Sequence, residues 1–378
     1  MTWLILGSLI PGLLVSWTAA CAVRRWATTL GLVDQPGERK VHTHATPLGG
    51  GLAIWLGIVL PLAAGQALAW MIVEGRAGTA LFAWAARIPV PAFVEPHLDG
   101  LVQQAGDLWL LLGAATVVML LGLVDDLRHI AWQPRLLVEA AVAVALVWHG
   151  WRLSLFIDVP WLTAAVSVVW IVALINSFNM LDNMDGLSGG VAAIAALMLA
   201  AVLLLAPDPS TSEPQLFVAG LLLVVVGSLV GFLWHNRPPA RLFMGDAGAY
   251  LIGLILAVAT ILATFAGGDM PRHAILAPLC VLAVPLYDLV TVVAIRLRRG
   301  LSPFAADRNH FSHRLVDLGM SKTQAVLTIY LATATTGLGA LLLHQVDTIG
   351  AVIILLVVAS VLTLIGILET TARRQRRP

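Results

Sequence analysis

The chain has 378 residues, of which 59% are apolar and only 11% charged, with a formal net charge of +1. Soluble domains carry roughly 25% charged residues, so this composition excludes a water-soluble globular protein and leaves a membrane protein. No nucleic-acid partner is expected.

Taken in chain order, the first apolar segment, roughly 3–22, has no basic stretch before it, and Arg24 and Arg25 follow it. That order reads as an uncleaved first span rather than a signal peptide. A second span is predicted at 48–72, and the mixed segment 73–107, with Pro89, Pro91 and Pro96, reads as a surface loop with a short interfacial helix. Spans follow at 108–124, 134–149 and 161–175, the last two short enough to be tilted or partly re-entrant. Five more are predicted at 187–206, 215–234, 249–267, 273–295 and 322–343, and a final one at 348–368. About 20 apolar residues suffice for a helix to cross the hydrocarbon core. The expected architecture is therefore an all-α polytopic membrane protein of about eleven transmembrane helices, with 1–378 as a single membrane domain. Cys21 and Cys280 lie in separate apolar segments without metal-type spacing and read as packing residues.

Basic residues orient the chain. One set of alternate loops, with the span-edge residues Arg135 and Lys322, holds 18 of the 22 Lys and Arg, and the other set holds only Arg76, Arg87, Arg152 and Arg272. The first set is therefore expected in the cytoplasm, with the N-terminus outside and the C-terminus inside. The basic tail, Arg373, Arg374, Arg376 and Arg377, suits an anionic inner leaflet.

Ionisable residues in or beside spans are costly and signal function. Here they gather at the predicted cytoplasmic ends. Asp125 and Asp126 close the third span in LGLVDDLRHI. Asn176, Asn179, Asp182, Asn183 and Asp185 follow the fifth in NSFNMLDNMDGLSGG, and Asp246 opens the eighth in LFMGDAGAY. His310 and His313 lie in DRNHFSHRL after the ninth. Each cluster alone has a bland reading, as an interfacial cap or a solvated turn. Four on one side are not expected by chance. Adjacent carboxylates need a cation or must shift their proton affinities apart. Mg²⁺ prefers oxygen ligands and commonly binds one or two carboxylates plus substrate phosphates. Glycines around Asp246 and after Asp185 would let backbone N–H groups approach phosphate at a helix N-terminus. Arg and His from the last large loop would stabilise charge on a leaving phosphate. These residue types point to phosphoryl-transfer chemistry at the membrane surface. A secondary transporter is the alternative class, but its acids would lie near the bilayer midplane rather than at one face.

The segments DQPGERKVHTHATPLGGGLAI (34–54), GLVDDLRHI with WQPRLLVE (122–139), NSFNMLDNMDGLSGG (176–190), LFMGDAGAYLIG (242–253) and DRNHFSHRL (307–315) together resemble the polyprenyl-phosphate N-acetylhexosamine-1-phosphate transferases. Their order and spacing cover nearly the whole chain. The resemblance implies attack of a lipid phosphate oxygen on the sugar-linked phosphorus of a UDP-sugar, with UMP leaving. It implies Mg²⁺, with Mn²⁺ as a substitute, a UDP-sugar donor, a polyprenyl phosphate acceptor and the bacterial inner membrane, and it leaves a homodimer open. Carried over, Asp125 would deprotonate or orient the lipid phosphate, and Asp126 would support the metal. Asp246 and Asn179 match metal ligands, and Asp182 and Asp185 would line the nucleotide and metal pocket beside Asn176 and Gly186. Arg135 matches a basic residue near the phosphates. Arg308, His310 and His313 match the loop that grips diphosphate and sugar, and Lys40 and His42 match the first-loop motif that would hold lipid phosphate. Two positions depart from the pattern: Asn183 stands where the family commonly has Gly, and Ser312 where related members often have a third histidine. The loop also lacks the run of adjacent histidines of the pentapeptide-transferase branch. UDP-N-acetylglucosamine is therefore expected over UDP-N-acetylmuramoyl-pentapeptide or another UDP-acetamido sugar.

Overall fold

The computed structural model describes residues 2–34, 45–92, 94–153, 156–206, 214–263, 265, 271–304, 307 and 309–375. Its helices are α1 (Thr2–Trp26), α2 (Gly50–Arg76), α3 (Leu98–Gln103), α4 (Ala105–Arg128), α5 (Trp132–His149), α6 (Pro160–Leu181) and α7 (Leu187–Leu205). They continue with α8 (Leu216–Asn236), α9 (Gly245–Leu262), α10 (Ala277–Val281), α11 (Ala283–Arg298), α12 (Phe311–Asp317), α13 (Lys322–Leu342) and α14 (Thr348–Gln375). The expected helical membrane architecture is present. Among the described residues one two-residue antiparallel pair, β1 (Val33–Asp34) with β2 (Thr46–Pro47), accompanies the helices.

Among the described residues nine helices are long and apolar enough to cross a membrane. The segment Arg272–Val281 and α11 together qualify as a tenth, bent by 68°. The break falls at Leu282, just before Pro285 in the first turn of α11, where a missing N–H disturbs helix bonding least. The expectation of eleven differs at α5. Gln133, Arg135, Glu139 and His149 dilute its apolar content, and its 18 residues fall short of a span by composition. In the 73–107 segment the described residues form short helical turns leading into α3.

Helix α9 is apolar on all sides and lies at the centre, 83% of its span buried, whereas α14 is only 6% buried. A helix without a polar face belongs inside a bundle or in lipid, and these two take the two options. Around α9 pack α4 and α6, while α8 packs on α1 and α7. The C-terminal ends of α4, α6 and α8 meet the N-terminus of α9 at one end of the bundle. That end holds the polar residues.

Candidate active site

Helix α9 begins at Gly245, and its first N–H groups have no partner within the helix. The Asp126 carboxylate, on the last turn of α4, supplies one. It accepts from Asp246 N–H at 2.9 Å and from Ala247 N–H at 3.3 Å. Gly245 N–H is bonded to the Asp182 carboxyl in the same way. The expected approach of these N–H groups to phosphate is thereby corrected, because carboxylates of the chain already occupy them. Gly245 sits at φ 71°, where a side chain is strained, and a Cβ there would come within 2.4 Å of Asp126. Gly122, one turn before Asp126, permits the close approach of α4, since its Cβ would meet the backbone of Asp246 and Ala247.

Asp125 is buried and fully engaged. It accepts from Arg135, from Ile130 N–H at 2.7 Å and from the Tyr250 hydroxyl at 3.3 Å. Arg135 also donates to Tyr250 at 3.1 Å and lies 3.7 Å from Asp246 Oδ2. A left-handed His129 (φ 50°) ends α4 and turns the chain back, so that α5 delivers Arg135 to Asp125. Asp246 accepts from Asn179 Nδ2 at 2.6 Å, which leaves the amide oxygen of Asn179 as the end able to take a cation. Asn176, one turn deeper, is turned to the buried Glu139, with Nδ2 at 2.5 Å from its carboxylate.

The turn after α6 adds Asp182 and Asp185 to the cluster. Burial, and then the charges of Asp126 and Asp185, raise the Asp182 carboxyl to about 7 against the pull of Gly245 N–H. Asp185 accepts from Ala240 N–H at 3.0 Å, and Gly186 N–H donates to Asn236 at 2.9 Å. Asn236 in turn donates to Leu242 C=O at 2.9 Å, and Tyr330 donates to Gly186 C=O. These bonds tie the acidic turn to the segment entering α9.

The last loop reaches the same place through Ser312, which donates to Asn183 Oδ1 at 2.5 Å. His310 immediately precedes α12 and is buried, and its ring centroid lies 6.3 Å from that of His313. Burial alone would raise the Asp307 carboxyl, but pairing with Arg296 and bonds from Asn309 hold it down at about 2. Lys40, His42 and Arg308 lie outside the described residues.

The chemistry of this donor set fits a divalent cation. Asp125, Asp126, Asp182 and Asp246 gather around the start of α9, and Arg135 pairs with Asp125 and lies close to Asp246. No three His, Cys, Asp or Glu side chains among the described residues form a ready-made metal cage. Mg²⁺ suits such a site, because it takes one or two carboxylates and completes its shell with water and substrate phosphate.

The family described as Glycosyl transferase family 4 matches residues 108–264, which include most of α4, then α5, the acidic turn and α9. A decaprenyl-phosphate N-acetylglucosaminephosphotransferase of Mycobacterium tuberculosis is 31% identical over 94% of this chain and 87% of its own length. The protein of the same name from Mycolicibacterium smegmatis is 30% identical over 94% of this chain and 87% of its length. The chain belongs to the polyprenyl-phosphate N-acetylhexosamine-1-phosphate transferase family. An undecaprenyl-phosphate alpha-N-acetylglucosaminyl 1-phosphate transferase of Escherichia coli K12 is also similar, 29% identical over 82% of this chain and 76% of its length.

Within the family pattern the two departures, Asn183 and Ser312, touch each other. Together they make a hydrogen-bonded contact between the acidic turn and the histidine loop. Sequence reasoning missed Glu139, Tyr250, Asn236, Asp288 and Tyr330. Glu139 and Asp288 carried a usable signal, being carboxylates inside apolar segments.

Gly245→Ala tests the junction of α4 and α9. A left-handed backbone costs a residue with a Cβ roughly 1–2 kcal/mol, and the Cβ would also displace Asp126. Transfer activity and melting temperature should both fall, with activity down at least about tenfold. Wild-type activity in the alanine variant would show that Asp126 does not need this geometry.

Proposed function

We propose that the protein transfers N-acetylglucosamine 1-phosphate from UDP-N-acetylglucosamine to undecaprenyl or another polyprenyl phosphate. UMP is released, and the lipid-linked diphosphate sugar begins a cell-envelope polysaccharide. The observation that carries this reading is the meeting of Asp125, Asp126, Asp182 and Asp246 around the N-terminus of α9, with Arg135 paired to Asp125 and close to Asp246. Asp246 and Asn179 would hold Mg²⁺, with Asp126 fixing the turn that presents Asp246. Mg²⁺, when bound, supplies positive charge that offsets the charge of the diphosphate.

The chain's own residues do the rest. A phosphate monoester has its second pKa near about 6, so the lipid phosphate is largely a dianion at neutral pH and needs orientation more than deprotonation. Asp125 holds the Arg135 guanidinium, which faces the acceptor phosphate. An acceptor oxygen forms a bond to the sugar-linked phosphorus as the bond to UMP breaks. Asp182, Asp185, Asn176 and Gly186 shape the donor pocket. His310, with Arg308 and His313, grips the diphosphate, while Lys40 and His42 reach the lipid phosphate. The expected assay result is UMP release that requires polyprenyl phosphate and UDP-N-acetylglucosamine. Equal turnover of UDP-N-acetylmuramoyl-pentapeptide would overturn the donor assignment.

Eleven spans in the bacterial inner membrane complete the proposal: nine helices, the bent pair and α5, with the site in the cytoplasm. The 18-to-4 division of basic residues supports this orientation. A cysteine introduced at Gln345 should react with an impermeant reagent added outside intact cells, and one at Ser302 should not. The reverse pattern would place the site on the other face.

A further inference from the structure

Behind the histidine loop lies a buried charged cluster to which the reaction above assigns no part. Asp288, on α11, is completely buried. Its Oδ1 accepts from Phe311 N–H at 2.6 Å, capping α12, and its Oδ2 lies 3.0 Å from His310 Nδ1. Arg314, one turn along α12, donates to Asn309 C=O at 2.9 Å and to Thr291 at 3.0 Å. Its Nη2 is 3.9 Å from Asp288 Oδ1. Its Nε forms an ion pair with Glu369 of α14 at 3.0 Å. Tyr287 donates to the same Glu369 at 3.2 Å. Helices α11, α12 and α14 are thus fastened together beside the Asp288–His310 pair.

An ionised carboxylate only accepts hydrogen bonds, so the imidazole proton facing Asp288 sits on Nδ1. The opposite nitrogen, Nε2, is then the free pole. Two bonds from one carboxylate, to the ring and to the backbone of the next residue, leave that ring little rotational freedom. The Ser312–Asn183 bond holds the same helix against the acidic turn. We infer that Asp288 is a positioning residue for His310, fixing its tautomer and aiming Nε2 at the donor diphosphate, an assignment that rests on the transferase function proposed above.

Asp288→Asn tests it in the full-length protein. The amide oxygen can still cap α12 through Phe311 N–H, but the nitrogen end meets the ring with N–H groups. The ring must then turn or move its proton to Nε2. The expected result is a fall in kcat of about 10²-fold or more, with KM for UDP-N-acetylglucosamine within about threefold. In histidine-¹⁵N-labelled protein, the His310 signals (identified by their loss in His310→Gln) should change from Nδ1-protonated to Nε2-protonated. Near-wild-type kcat or an unchanged tautomer in Asp288→Asn would overturn the inference. If that variant does not fold, the wild-type spectrum decides: a His310 ring without a proton on Nδ1 contradicts the inference, and one with it supports it. Failure of the proposed function is distinguishable, because the wild-type protein would then make no lipid-linked product while the His310 spectrum could still be read.

Discussion

Asp246→Ala should lose transfer activity and divalent-cation binding together. Asp246 lies where α4, α6 and α9 meet, bonded to Asn179 and close to Arg135. Replacing it removes the carboxylate best placed to face both a cation and the donor phosphates. It does not remove the backbone N–H that Asp126 caps, so the helix junction should survive. Loss of one strong electrostatic stabiliser typically costs about 10² to 10³ in rate, and loss of the cation as well puts the expected fall at the upper end. Titration with Mg²⁺, and with Mn²⁺ followed by its magnetic resonance signal, should find weakened binding in the variant. Excess EDTA should stop the wild-type enzyme. Full turnover in EDTA would remove the metal from the mechanism.

Asp125→Asn should separate donor binding from transfer. Asp125 engages Arg135, Tyr250 and Ile130 N–H, so its carboxylate acts chiefly by holding the guanidinium in place. An amide cannot pair with Arg135 by charge, and the arginine would be freed to swing toward Asp246. UDP-sugar binding should stay within about threefold of wild type, because Asp182 and Asp185 are untouched. Transfer should fall by about 10² to 10⁴, the range for a positioned acid–base or charge partner. Labelled UMP should not exchange into UDP-sugar without lipid acceptor in the wild-type enzyme. Exchange without lipid would indicate a covalent intermediate and make Asp125 a candidate nucleophile.

Much of this was legible in the sequence, for physical reasons. Long apolar runs give spans because backbone groups in lipid must be satisfied within the helix. The rarity of charge made the Asp, Asn and His clusters at span ends stand out, and Asp126, Asn179, Asp182 and Asp246 do converge. The partners of those clusters were not legible. Asp126 caps α9 from 120 residues away, and no local pattern announces a cap supplied by another helix. Asp288, 22 residues before His310, reads only as an odd carboxylate in an apolar run until α11 and α12 are packed together. Asn236 and Tyr330 hold the backbone of Gly186, and backbone contacts leave little trace in residue type. The break at Leu282 and the polar content of α5 explain why span counting by apolar length differs from the helices observed.

Sugar-1-phosphate transfer is tested most directly by the mass of the lipid product. Purified protein would be incubated with undecaprenyl phosphate, Mg²⁺ and a panel of UDP-sugars, and the lipid fraction analysed by mass spectrometry. The predicted product is the acceptor lipid increased by one N-acetylhexosamine phosphate, formed with UDP-N-acetylglucosamine and matched by an equal amount of UMP. A lipid carrying the sugar without its phosphate, released together with UDP, would contradict sugar-1-phosphate transfer, as would an unchanged lipid with every donor.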